Sequence, residues 1–347
     1  MKNATVTKET VITRIGIDIS KNVFQFHGVD AHEKIQLRKA VKRDNVLEFM
    51  ANKKPCFIGM EACGGSHYWG REFEKLGHSV RLMPGQHVKP YRKNNKNDSR
   101  DAEAICEAVQ RPTMLFVPIK TQEQQDMQSL HRARQEMVKI RTMHANQLRG
   151  LLLEYGIAIP KGISQIRKTI PCLLEDAENS LTSTMRFLIH TVYEFLCTTD
   201  KNIAEITDKI ESFTKSNDLC KRILQIDGFG PLSSTAFVSA VGSGKQFKCG
   251  RDASAWLGVV PRQYSTGGKT VLLGISKKGN RYLRSLLVNG SRAVVSRAKG
   301  KTDKQSKWIQ ELVNKKGVNK AVVAYVNKMV RIAWSMIQSG EEYRKAA

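Results

Sequence analysis

At about Thr121 the chain changes its period, and that change decides what it can fold into. Upstream, short apolar alternations separated by turn residues read as strands. RIGIDIS sets Ile15, Ile17 and Ile19 against Gly16, Asp18 and Ser20, the two-residue period of a strand with one buried face. NVFQFHGVD, KIQLRKAV, KPCFIGMEA and SVRLMP read as further strands, with a helix over 67–76 that stops at Gly77. NDSRDAEAICEAVQ reads as a helix, with Asn97 as N-cap and Pro112 close behind its end. Strand, helix and strand in this order predict a mixed or parallel sheet. Downstream, Met127, Leu130, Met137, Ile140, Leu148 and Leu151 recur at helical spacing up to about Tyr155. After GIAIPKG, a second helical stretch carries Leu181, Met185, Leu188, Val192, Phe195, Ile206, Ile210 and Phe213. Two long helices joined by a turn predict an antiparallel arm or a coiled coil with interrupted heptads. The expected organisation is an α/β domain over 1–118, a helical spacer over 119–216 and a mostly α-helical C-terminal domain over 217–347.

Four carboxylates stand out in the α/β part. Asp18 interrupts an apolar strand, and burying an acid there is costly unless it is paired or metal-bound. Glu61 ends another strand, on the face of Phe57 and Gly59, while Asp98 and Asp101 share one side of a helix at i, i+3. Singly, each has an ordinary explanation: Asp98 suits a first helical turn, and Glu61 could cap a loop. Jointly they predict a metal site. Two divalent ions would neutralise four carboxylates, and oxygen-only ligands suit Mg²⁺ or Mn²⁺. Two such ions can stabilise the attacking and leaving oxygens of a phosphodiester displacement.

Charge narrows the class of partner. The 347 residues carry 57 Lys+Arg against 32 Asp+Glu, a net charge of +25, which calls for a polyanion. Between Lys245 and Lys307 there are fifteen cations and two acids, Asp252 and Asp303. Trp256, Tyr264 and Tyr282 interleave with them, as stacking on bases requires. A second basic run, HVKPYRKNNKNDSR, brings Lys89, Arg92 and Lys93 close to Asp98. No apolar run approaches the ~20 residues of a membrane span, and the polar start predicts no secretory signal. Seven scattered cysteines form no CxxC pair, so neither a zinc knuckle nor a disulfide framework is expected. A cytoplasmic nucleic-acid-binding protein fits these features.

Two motifs lie in the basic third. ILQIDGFGPLSSTAFVSAVG reads as a helix-hairpin-helix-like element. Gly228 and Gly230 would either let backbone N–H groups approach a phosphate or simply make a tight turn. Beyond Pro261, Ser265-Thr266-Gly267-Gly268-Lys269 reads as an exposed flexible loop. SKKGN follows and starts a helix bearing Arg281 and Arg284. Arg262, Lys269, Lys277 and Lys278 surround the Ser265 hydroxyl. With no evident neighbouring base, that hydroxyl caps a turn, binds phosphate or acts as a nucleophile activated from elsewhere.

The array GIDISK…GMEACG…NDSRDA, with PRQYSTGGK and GISKKGNRYLR, resembles the DEDD-type transposases of bacterial insertion sequences, the IS110 family and within it the IS1111 subgroup. Piv-type invertases are relatives of that family. The resemblance runs from about Arg14 to Ile337. It implies a RuvC-like, RNase H-like fold in the N-terminal domain, followed by a spacer and a C-terminal transposase domain. It further implies site-specific strand exchange on donor and target DNA, guided by a non-coding bridge or seek RNA, in a homotetramer built as a dimer of dimers. By this resemblance Asp18, Glu61, Asp98 and Asp101 match the metal-holding tetrad. Ser265 matches the serine that becomes a phosphoserine, with Thr266 the alternative nucleophile. Three other readings predict different behaviour. A RuvC-like junction resolvase would use the four acids and water alone. A non-enzymatic DNA- or RNA-binding protein would need only its basic residues. A sugar-kinase-like ATPase, which also begins with a GIDIS-type strand, would need further glycine-rich phosphate loops.

Overall fold

The computed structural model describes residues 11–92 and 98–344. Its chain divides into two compact units, 1–121 and 122–347. The first unit is mixed α/β. It runs through β1 (Arg14–Asp18), β2 (Val23–Val29), β3 (Ile35–Lys42), α1 (Val46–Ala51), β4 (Phe57–Glu61), α2 (Ser66–Lys75), β5 (Ser79–Met83), the short α3 (Gly85–Val88) and α4 (Asp98–Ala108). The five strands form one sheet in the order β3-β2-β1-β4-β5. The β1–β2 and β2–β3 pairs are antiparallel, whereas β4 and β5 run parallel to β1.

Central position explains a departure from the sequence reading of β1. Arg14, Ile15, Gly16 and Ile17 are all buried, so this strand has two covered faces rather than one. Ile15 and Ile17 pack with Phe24, Phe26, Ile58, Met60, Trp69 and Phe73 on one side of the sheet. On the other side, Gly16 meets α4 backbone to backbone. A Cβ at Gly16 would lie 2.2 Å from the Ala102 carbonyl oxygen and 2.4 Å from the Cys106 nitrogen. One strand over, a Cβ at Gly59 would lie 2.8 Å from Val109. Two glycines paired in register on adjacent parallel strands thus let α4 settle onto the sheet. This packing brings the first turn of α4 to the C-terminal end of β1. Because the clash is with helix backbone, Gly16→Ala forces α4 away. We expect a loss of about 3 kcal/mol, at the upper end for overpacking, read as a lower denaturant midpoint.

The second unit is helical apart from one ribbon. α5 (Gln122–Leu153) and α7 (Ser183–Ser216) are the two long helices, with α6 (Ile163–Glu175) between them. The sequence reading does not include α6, although Ile163, Ile166, Ile170 and Leu173 keep helical spacing, because Pro171 inside the helix reads as a breaker. α5 and α7 run antiparallel: Arg134 Nε donates to Thr207 Oγ1, Arg141 pairs with Asp200, and His144 stacks on Phe195. Leu148, Leu152, Ile166, Ile170, Ile189, Val192 and Leu196 form a separate apolar cluster along this arm.

The rest of the unit is α8 (Asp218–Leu224), α9 (Pro231–Val241), α10 (Gly250–Leu257), β6 (Pro261–Thr266), β7 (Lys269–Ile275), α11 (Arg281–Arg297), α12 (Lys304–Lys316) and α13 (Val318–Ser339). Its core is built around Phe237, Leu257, Leu283, Leu287, Tyr325, Met329 and Val330. His131 of α5 joins arm to core, its ring nitrogens 3.0 Å from Tyr282 Oη and from Thr235 Oγ1. Burial pushes the pKa of this imidazole down to about 4, so it works as a neutral hydrogen-bonding bracket. No helix among the described residues is long and apolar enough to cross a membrane.

Candidate active site: an acid cluster and a serine-bearing hairpin

The acids converge at the C-terminal ends of the parallel strands. Asp18 ends β1 and Glu61 ends β4, each one residue beyond the last matched pair, Ile17 with Met60. Asp98 opens α4 and Asp101 lies in its first turn, where the helix dipole favours negative charge. One carboxylate oxygen from each of Asp18, Asp98 and Asp101 falls within 4.8 Å of the others. Glu61 stands outside that set but close enough to act on Asp18 electrostatically. Its carboxylate also lies against Gly85, where a Cβ would come within 3.2 Å of Oε2.

Asp101 is buried, Asp18 half-buried and Asp98 exposed, so the cluster opens to solvent on one side. Burial raises the Asp18 carboxyl to about 6, and the negative charges of Asp101, Glu61 and Asp98 push the same way. Arg92 opposes this and forms an ion pair with Asp101. Hard oxygen donors, mutual repulsion and a solvent-facing side together fit a divalent cation of the Mg²⁺ or Mn²⁺ kind. Asn97 and Lys93, expected as a helix cap and a nucleic-acid contact, lie outside the described residues.

Around Ser265 the structure corrects the sequence reading. The segment is a β-hairpin, not a flexible loop. β6 pairs antiparallel with β7, Ser265 opposite Thr270, and Gly267-Gly268 form the two-residue turn. Both glycines have positive φ, +54° and +77°, the conformation required by the hairpin turn that matches strand twist. Ser265 is exposed, and its hydroxyl oxygen accepts a 2.8 Å bond from Gln263 Nε2 two residues earlier on the same face. Tyr264 and Leu272 on the ribbon are 68% and 64% exposed.

The cations expected to meet nucleic acid are not all placed alike. Arg262, Lys269, Lys277, Lys278, Arg281 and Lys89 are exposed. The segment carrying Lys277 and Lys278 is fixed: the Lys277 N–H donates to the Gly258 carbonyl, and Gly279 sits where a Cβ would meet the Trp256 carbonyl at 2.0 Å. Arg284 is the exception. It is 9% exposed, and its Nη1 donates to the carbonyls of Leu257 and Lys278 at 2.8 Å each. Its charge clamps this platform from inside instead of facing a phosphate.

Gly228 too has a packing duty, because its carbonyl oxygen would lie 1.9 Å from a Cβ on Gly290. The Gly230 N–H donates to Ser233 Oγ at the start of α9. Gly228 adopts the positive φ of +94° that the turn requires, whereas Gly230, with open space where a Cβ would lie, is the N-cap of α9 with its N–H engaged.

A feature outside the sequence reading is a groove of about 1360 Å³ between β7 and α13. Lys320, Lys328 and Arg331 line it together with Trp308 and Trp334, with no acid among the lining residues. Lys328 Nζ lies 4.7 Å above the Trp308 ring. The available signal was the recurrence of Lys320, Lys328 and Arg331 at helical spacing opposite the apolar stripe of α13, beyond the most basic stretch of sequence.

Carboxylates gathered at strand ends and a basic domain bearing an exposed serine belong with enzymes that cut and rejoin DNA, and comparison with known proteins agrees. A transposase profile of the DEDD, IS110 type matches residues 15–157, and the profile of the transposase IS116/IS110/IS902 family matches residues 220–307. A probable family 20 transposase of Pseudomonas aeruginosa is 43% identical over 334 residues, covering 96% of this chain and 99% of its own. The transposase for insertion sequence element IS1111A of Coxiella burnetii is 41% identical, covering 96% and 92% of the two chains. The corresponding IS1328 transposase of Yersinia enterocolitica is 37% identical, with 96% and 99% covered. The chain belongs to the IS110 family of insertion-sequence transposases.

Proposed function

We propose that this transposase exchanges DNA strands through a phosphoserine at Ser265, with Mg²⁺ (or Mn²⁺), two ions in all, held by Asp18, Glu61, Asp98 and Asp101. The observation that carries the reading is the gathering of three carboxylate oxygens within 4.8 Å, contributed by a central strand and a helix eighty residues later. When bound, divalent cations there supply charge neutralisation at the scissile phosphate and lower the pKa of the reacting hydroxyl. Gly16 and Gly59 position α4 so that Asp98 and Asp101 face Asp18. Gln263 fixes the direction in which the Ser265 hydroxyl presents itself. Ser265 gives up its hydroxyl proton as Oγ attacks phosphorus, one P–O bond of the DNA breaks, and the departing DNA oxygen takes up a proton in its place. Attack by a second DNA hydroxyl reverses these events on a new strand. One phosphodiester is made for each one broken, so no ATP is consumed.

The sheet order, with three antiparallel strands followed by two parallel ones, supports a RuvC-like, RNase H-like fold for the first unit. The separate apolar clusters of the arm and of the following helices support a spacer over 119–216 and a transposase domain over 217–347. The resemblance to the family supports RNA guidance and a homotetramer in which acid cluster and Ser265 serve the same DNA phosphate.

A suicide substrate incubated with Mg²⁺ and the element's own RNA tests this reading. DNA is expected on the peptide containing Tyr264 to Lys269. Cleaved DNA with no adduct would instead support a metal-dependent nuclease, the alternative favoured by the lack of a side-chain base bonded to Ser265 among the described residues.

DNA affinity should also fall steeply with salt, log K dropping by ~0.9 per decade of salt for each phosphate neutralised. Replacing Lys320 and Arg331 of the acid-free groove by Ala is expected to flatten the slope by about 2, measured by fluorescence anisotropy at several salt concentrations. An unchanged slope would remove the groove from the DNA path.

A further inference from the structure

Arg92 pairs with Asp101 in a way that differs from the pair that Arg14, 10% exposed, makes with the exposed Glu33 in the same unit. Arg14 grips Glu33 as a fork, Nη1 on Oε1 at 3.1 Å and Nη2 on Oε2, the geometry of a fitted structural bridge. Arg92 meets Asp101 only through Nε and Oδ1, and neither of those buried atoms makes a hydrogen bond of good geometry. The contact is one of charge without directional fit. Yet Asp101 needs a cation, because its side chain is 6% exposed and has Asp18 and Asp98 beside it. A single guanidinium offsets one charge of four. Arg92 also directly follows the turn Lys89–Tyr91, in a basic run where Lys89 is exposed to solvent.

We propose that Arg92 is a placeholder for the divalent ion, holding Asp101 in the metal-free protein and leaving it when the cation arrives. The inference rests on the reading of the acid cluster as a metal site and adds a regulatory link to it. Ion and arginine compete for one carboxylate, so loading the ion frees Arg92 to meet a backbone phosphate. By linkage, a polyanion that captures Arg92 tightens ion binding by the same factor. Metal and nucleic acid then load cooperatively, and the acid pocket stays neutralised when neither is present.

The test uses the full chain and Mn²⁺, with free Mn²⁺ followed by its paramagnetic resonance signal and no turnover required. Arg92→Gln is expected to bind Mn²⁺ at least ~5-fold more tightly than the unaltered protein in the absence of DNA. Arg92→Lys, which keeps the charge, should stay within about twofold, below that coupling range. Adding a short DNA duplex should tighten Mn²⁺ binding to the unaltered protein and leave Arg92→Gln unchanged. If Arg92→Gln fails to melt cooperatively, Arg92→Met keeps the aliphatic stem and takes its place. Mn²⁺ binding to the variant equal to or weaker than that of the unaltered protein overturns the exchange while leaving the metal site standing. Failure of both proteins to bind Mn²⁺ overturns the site and the exchange together.

Discussion

Asp18→Asn is expected to abolish strand transfer and, in the absence of metal, to raise the melting temperature. Both effects come from the same crowding. In the folded protein burial and the charges of Asp101, Glu61 and Asp98 hold the Asp18 carboxyl at about 6, above its ordinary 3.8. A carboxyl whose folded pKa is raised binds more protons in the folded than in the unfolded state between those values. Metal-free stability therefore declines as pH rises from about 3.8 to about 6 and stays lower above that. Asparagine carries no charge to repel, so the variant's advantage grows through the same window and levels off near neutrality. Mg²⁺ should reverse the ranking at pH 8, stabilising the unaltered protein and leaving Asp18→Asn almost unmoved. Melting curves at pH 4.5 and 8, with and without Mg²⁺, provide the check. A variant less stable than its parent at pH 8 without metal would show that Asp18 is held by a partner and not strained by its neighbours.

The acids were legible in the sequence because a carboxylate inside an apolar strand breaks a pattern that otherwise holds. Asp98 and Asp101 then declared a shared face by spacing alone. What placed them beside Asp18 was not legible. The effect of Gly16 depends on a helix about eighty residues later that packs backbone to backbone against it. The alternation in RIGIDIS also suggested a single buried face, since a glycine covered by a helix looks the same in sequence as one facing water. The serine hairpin escaped for a different reason. PRQYST is exposed throughout and KTVLLGI nearly so, so neither strand shows an in-out alternation, and Gly-Gly reads equally well as a flexible loop. Arg284 illustrates the limit of counting charge. Nothing local distinguishes it from Arg281, yet one clamps two carbonyls inside the fold and the other is exposed. Lys320, Lys328 and Arg331 are hard to read from sequence because their helix is mainly apolar and their alignment matters only once β7 forms the opposite wall.

Ser265→Ala is expected to remove the covalent adduct entirely and to lower strand transfer by at least ~10³-fold, the scale on which enzymes lose a nucleophile. Folding should survive, because Ser265 is exposed and, among the described residues, its hydroxyl is bonded only to Gln263 on the same strand. Thr266→Ala should retain the adduct. Thr266 is the last residue before the Gly267-Gly268 turn and pairs with Lys269. Neighbouring residues on a strand point to opposite faces, so Thr266 and Ser265 cannot present their hydroxyls to one phosphate from the same backbone position. The pair of variants thus separates nucleophile from neighbour without disturbing the ribbon. Comparison with Asp18→Asn separates the chemistry further. A nuclease that relied on the acids and water would lose cleavage in Asp18→Asn and keep it in Ser265→Ala. A recombinase that stores the phosphodiester on serine needs both residues and fails at strand transfer in either variant. Denaturing gels that resolve free DNA, cleaved DNA and DNA-linked protein report all three species in one reaction. Cleavage at parental rates by Ser265→Ala would leave the hairpin as a DNA-binding ribbon with no covalent role.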